Sequence, residues 1–136
     1  MSLTKYISVI LLCIFLSSCG TILTVKNESF VFNKNDRINV ICPNDNLELK
    51  PELETELEKL GFSMSDSADA DLYFKLSYDY YFDVFHNTSN LINIIVTNKH
   101  NEVVLTSGFT GDTPSSSSGL VERVIADISK NIQIKK

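Results

Sequence analysis

Residues 72–85 read LYFKLSYDYYFDVF. Leu72, Phe74, Leu76, Tyr78, Tyr80, Phe82 and Val84 alternate with Tyr73, Lys75, Ser77, Asp79, Tyr81, Asp83 and Phe85. A period of two sustained this long predicts a strand with one buried face and one wet face. Downstream, residues 91–97 are rich in β-branched types, 98–101 form a turn cluster, and 102–109 return as a hairpin partner. Upstream, residues 38–42 form a short apolar run closed by Pro43-Asn44-Asp45-Asn46, which predicts a further strand. Residues 30–32 alternate weakly and are expected as a first edge strand, and 62–64 are expected to begin another.

Two helices flank the long strands. Leu49, Leu53, Leu57 and Leu60 recur at spacings of four, four and three, one stripe on a helix over 49–60. Pro51 fits only a first turn, Glu52 and Glu54 suit the positive end of the helix dipole, and Gly61 stands where a C-terminal cap is needed. The second helix is predicted over 120–132, where Leu120, Val121, Val124, Ile125, Ile128 and Ile132 form a wide apolar stripe behind a capping serine run. The order β-α-β-β-β-α predicts an α+β fold: a mainly antiparallel sheet of four to five strands, with two helices packed on one face. Its other face then carries Tyr73, Lys75, Asp79, Tyr81, Asp83 and Phe85, and tyrosines of this kind are common interface anchors. That face is the candidate partner surface. The bland reading is cross-strand packing on a wet sheet, or cover by the N-terminal segment.

The N-terminus reads MSLTKYISVILLCIFLSSC over residues 1–19. Lys5 is a short basic region, and residues 6–16 are an apolar run of signal-peptide length. The tetrad Leu16-Ser17-Ser18-Cys19 resembles the bacterial lipobox. That resemblance implies lipid transfer to the Cys19 sulfur, cleavage before Cys19 and acylation of the new amino terminus, palmitate among the chains. Gly20, in place of aspartate, implies sorting to the outer membrane, with the periplasmic face favoured over the cell surface. The expected organisation is a signal peptide over 1–18, a lipidated cysteine and tether over 19–29, and one domain over 30–136. Cleavage removes only Lys5 among the charged residues, leaving eleven basic against seventeen acidic residues, a net charge of −6. An acidic body on a tether is expected to stand off anionic head groups.

A further likeness spans roughly residues 37–133. Leu57-Glu58-Lys59-Leu60-Gly61-Phe62, then Asp69-Ala70-Asp71-Leu72-Tyr73-Phe74, then Glu102-Val103-Val104-Leu105 leading to Gly111 and an amphipathic helix, form a pattern. It is similar to small outer-membrane lipoproteins carrying a domain of unknown function. The layout also resembles the αβ domains of lipoprotein activators of cell-wall synthases and of the curli secretion lipoprotein. These families supply no catalytic motif to carry over.

The residues themselves carry little chemistry. No phosphate loop, nucleophile elbow or Cys-x-x-Cys occurs. Asp79, Asp83 and His86 are the best metal candidates, but the two aspartates lie about 13 Å apart on a regular strand, too far for joint ligation. No metal and no cofactor are expected. A formal charge of −5 disfavours nucleic acid. Cys13 leaves with the signal and Cys19 takes lipid, so Cys42 is the one remaining thiol; it is expected as a buried strand residue, with an intermolecular disulfide or a catalytic thiol as the alternatives. His100 is expected in a solvated turn. The sequence therefore predicts a non-enzymatic envelope lipoprotein, held to the membrane by acyl chains on Cys19 and binding a protein partner. An immunity lipoprotein against a toxin and a small ligand or lipid carrier are the alternatives.

Overall fold

A computed structural model describes residues 21–81, 89–112, 117–132 and 134–135. In chain order the elements are β1 (Thr21–Lys26), β2 (Phe32–Asn33), β3 (Arg37–Ile41), α1 (Leu49–Lys59), β4 (Ser63–Met64), β5 (Leu72–Tyr81), β6 (Ser89–Asn98), β7 (Val103–Asp112), α2 (Ser117–Asn131) and β8 (Ile134–Lys135). Six strands form one sheet in the order β1-β7-β6-β5-β3-β4, and β2 pairs with β8 in a small second ladder. The α+β class, the antiparallel β5-β6-β7 meander and the helices on one face agree with the sequence reading.

The period of two in β5 has the consequence expected of it. Leu72, Phe74 and Leu76 are buried, and Lys75, Ser77 and Asp79 are exposed. Register pairs Phe74 with Val96 and Leu76 with Ile94, while β7 sets Leu105 against Val96 and Phe109 against Ile92. These inner residues meet Leu49, Leu53 and Leu57 of α1 and Val121, Val124, Ile125 and Ile128 of α2 in one core.

α1 is bounded by two backbone devices. Glu48 at its N-cap has φ 55° and gives no side-chain cap. Asp45 replaces it: its two carboxyl oxygens accept the N–H groups of Leu49 at 2.7 Å and Lys50 at 2.9 Å, filling orphan donors of the first turn. At the other end Phe62 N–H donates to the Leu57 carbonyl and Gly61 N–H to that of Glu58. This paired closure needs a left-handed residue after the cap, and Gly61 has φ +97°.

Four sequence expectations are corrected. Residues 21–26, expected within a tether, form β1, paired antiparallel along its whole length with β7. The main sheet has six strands where four to five were expected; it is mainly antiparallel as expected, with β3 parallel to both β5 and β4, and α1 supplies the crossover that parallel neighbours require. The early edge strand is Phe32–Asn33, and it joins β8 rather than the main sheet. α2 begins at Ser117, three residues before the expected start, and β7 runs on to Asp112. The expected strand positions Phe82, Asp83, Val84 and Phe85 lie outside the described residues, as does His86.

Candidate interaction face

The face of the sheet turned away from the helices is open around Lys75, Ser77, Asn93 and β1, whereas Thr97 beside Tyr73 is buried. Across it, register aligns Asn39 with Tyr73 and Tyr73 with Thr97, then Ile41 with Lys75, Lys75 with Ile95, Ile95 with Thr106 and Thr106 with Val25. Lower down, Ser77 pairs with Asn93, Asn93 with Gly108 and Gly108 with Leu23.

β1 reverses the polarity expected of a strand. Its apolar Leu23 and Val25 point to the open face and are 67% and 57% exposed, while Thr24 points to the helices. The inner side carries Ile22, packed against the core, and a polar contact. The Thr24 hydroxyl donates to Asp127 Oδ2 of α2 at 2.5 Å, and Ser107 Oγ lies 2.8 Å from Thr24 Oγ1. With the Thr24 proton committed to Asp127, Ser107 donates to Thr24. Ser107 is fully buried, so this chain satisfies hydroxyls that would otherwise be stranded between sheet and helix. Asp127→Ala is expected to lower stability by about 1–3 kcal/mol. Urea unfolding checks this, and Thr24→Val in the same background should add less than its own single effect, because the two share one network.

Turned outward by this register, Leu23 and Val25 line a shallow groove of about 450 Å³ with Thr21, Thr106, Gly108 and Thr110. The groove exists because Gly108 has no side chain beside Leu23. A Cβ there would stand in ordinary contact with the Ile92 carbonyl at 3.5 Å, so the glycine leaves an open trough rather than relieving a clash. Val103, 52% exposed, continues the apolar surface toward the β6–β7 turn.

The residues singled out from the sequence are distributed unevenly. Tyr73, Lys75 and Asp79 all lie on this face of β5. Lys75 and Asp79 are exposed, whereas Tyr73 is half-buried and its hydroxyl donates to the Ala68 carbonyl, tying the 65–71 connection across the strand. Asp71 in that connection accepts the Arg37 N–H at 2.9 Å and its side chain at 3.4 Å. The Arg37 backbone N–H is the main reason its carboxyl lies below the usual range. Tyr81 ends β5, but Asp83, Phe85 and the lipobox residues Leu16, Ser17, Ser18, Cys19 and Gly20 lie outside the described residues. The apolar part of the face, on β1, was missed from the sequence. Its signal was the alternation of Thr21, Leu23 and Val25, which the adjoining signal segment obscures.

A second polar cluster sits where α1 starts. The Tyr78 hydroxyl donates to Asp45 Oδ1 at 3.0 Å and accepts the Leu47 N–H at 2.8 Å. Cys42, half-buried just after β3, has its thiol pKa raised by burial, then by the Asp45 charge. It is held as a protonated thiol, a poor nucleophile. Glu52 is raised by burial first and by Asp45 and Glu56 next, and one of its oxygens is buried without a partner. The cluster caps a helix and holds the 42–48 loop; its charges favour the protonated thiol and activate no nucleophile. His100, in the β6–β7 turn, is exposed and donates its backbone N–H to Asn98.

These features define a class: a small mixed sheet with both helices on one side and an open face on the other. No family model and no curated protein matches the chain. Solved structures do. A PelC dodecamer from Paraburkholderia phytofirmans aligns with TM-score 0.61 at 13% identity, over 87% of this chain and all of that one. A single-substitution variant of that PelC, also a dodecamer, aligns at 0.59 and 14% over the same shares. A minor lipoprotein from Acinetobacter baumannii aligns at 0.38 and 15%, over 71% of this chain and 94% of that one. The PelC likeness shows the fold.

Proposed function

We propose that this chain is a lipid-anchored, non-enzymatic protein of the bacterial envelope that works by binding protein through the open face of its sheet. The observation that carries the reading is the exposure of Leu23 and Val25 beside the Gly108 trough. Large apolar side chains grouped on one face mark interaction surfaces, whereas single exposed ones need no explanation. The lipobox-like tetrad before Gly20 supports the anchor. The PelC structures are dodecamers, which supports protein association as a use of this fold. The described residues offer one half-buried thiol raised toward its neutral form, which gives no support to nucleophilic catalysis.

Two changes test the proposal in native envelopes. A photo-crosslinking residue at Thr106, which lines the same groove, is expected to trap one dominant protein, either another copy or a different chain. Leu23→Glu with Val25→Glu should abolish the product while leaving the fold intact, because both side chains are already in water. Replacing residues 1–19 by a cleavable secretory signal without a lipobox should move the protein from the membrane to the soluble fraction, since the acyl chains contribute about 0.8 kcal/mol per buried methylene. A crosslinking pattern unchanged by the double substitution would remove the face; continued membrane retention of the form without Cys19 would remove the anchor.

A further inference from the structure

The anchoring reading and the position of β1 together have a geometric consequence. Only Gly20 separates Cys19 from Thr21, the first residue of β1. Two residues span at most about 7 Å. β1 is then paired throughout with β7, so it leaves no slack: Thr21 is opposite Thr110, and Lys26 opposite Leu105. With lipid on Cys19, Gly20 alone would join the anchor to β1.

Resting on that anchor, we propose that the domain sits directly on the bilayer by the end of its sheet at which β1 begins, where β5, β6 and β7 run two residue pairs past the Thr21 level, to Tyr81, Ser89 and Asp112, with the strands rising from the lipid surface. The register fixes which groups are near and which are far. Thr21 is aligned with Thr110, Thr110 with Leu91 and Leu91 with Asp79. The opposite end carries the β6–β7 turn with Lys99 and His100. From Leu91 to Asn98 on β6, the two levels stand about 24 Å apart.

Among the described residues of the near end, Asp79 is exposed and Asp45 is held near the same level by Tyr78, two acidic groups that anionic lipid would repel. Contact is therefore imposed by the covalent link and does not need anionic lipid. Leu23 and Val25 then stand within about 14 Å of the Thr21 level, facing sideways just above the head groups. The occupant of that face must itself be at the membrane surface.

The test uses the acylated protein in vesicles of phosphatidylethanolamine and phosphatidylglycerol carrying a head-group quencher. In a Cys42→Ser background, fluorophores are attached through Thr110→Cys or Lys99→Cys. The Thr110 probe should be quenched several-fold more than the Lys99 probe, and replacing phosphatidylglycerol by phosphatidylcholine should leave that ratio unchanged. Inserting twelve Gly/Ser residues between Gly20 and Thr21 adds a coil of about 20 Å and should bring the two probes close together in quenching. Equal quenching at native spacing, with the protein still floating with vesicles, would overturn the orientation alone. Failure to float would overturn the anchor, and the orientation with it.

Discussion

Phe109→Ala is expected to lower the unfolding free energy by about 3–5 kcal/mol. Phe109 is fully buried at the middle of β7. Its neighbours in register are Ile22 on β1 and Ile92 on β6, and the Arg123 guanidinium of α2 lies 6.0 Å from its ring centre. The ring thus joins three strands to the helix above them. Truncation removes its transfer free energy and leaves a cavity that three strands held in register close only in part. Phe109→Leu, which retains most of the volume, should cost appreciably less. Guanidinium unfolding measures both. A loss below about 1 kcal/mol for the alanine variant would show that the β1–β7–α2 corner is not packed as described.

Removing residues 20–26 from a soluble form lacking Cys19 is expected to cost about 3–5 kcal/mol, from one half-buried isoleucine and one broken polar chain. A tether could be shortened without penalty, so this truncation separates the two meanings of the segment. Without β1, the β7 edge loses its pairing from Leu105 to Thr110, and one flank of Phe109 meets water. Ser107 also loses Thr24, its link to Asp127, and a fully buried hydroxyl is left without a partner. Thermal unfolding of residues 20–136 against 27–136 checks the expectation, and coincident midpoints would contradict it. The bare β7 edge should also promote association of the shortened form.

β5, β6 and β7 were legible because each buries one face, and a two-residue period then survives in the composition. Leu49, Leu53 and Leu57 were legible for the same reason at the helical period, and Gly61 because the closure of α1 demands a residue free to adopt positive φ. The parallel pairing of β3 was not. Local residue types do not encode the direction of a neighbour, and the parallel arrangement follows from α1 crossing back over the sheet. Asp45 was read as part of a turn, although it also caps α1, because its partners depend on where the 42–48 loop folds.

The candidate face was half visible. Tyr73, Lys75 and Asp79 were placed on the outer side of β5, as they are, but only the structure shows Tyr73 committing its hydroxyl to Ala68. The apolar half on β1 ran against pattern. Counting apolar residues alone would put Leu23 and Val25 inside, whereas the inner side is the one that brings Ile22 to the core and Thr24 to Asp127.

Short-range chemistry dictates the core faces of the long strands, both helices, the closure at Gly61 and the lipobox-like tetrad, and each of these can be read along the chain. Whatever depends on partners distant in the chain had to wait for the folded molecule. Thr24 meets Asp127 across 103 residues. That contact, with the packing of Ile22 on the core, sets which side of β1 faces the helices and leaves Leu23 and Val25 outside. A buried hydroxyl must find a partner wherever the fold supplies one, and six residues of sequence do not say where that is.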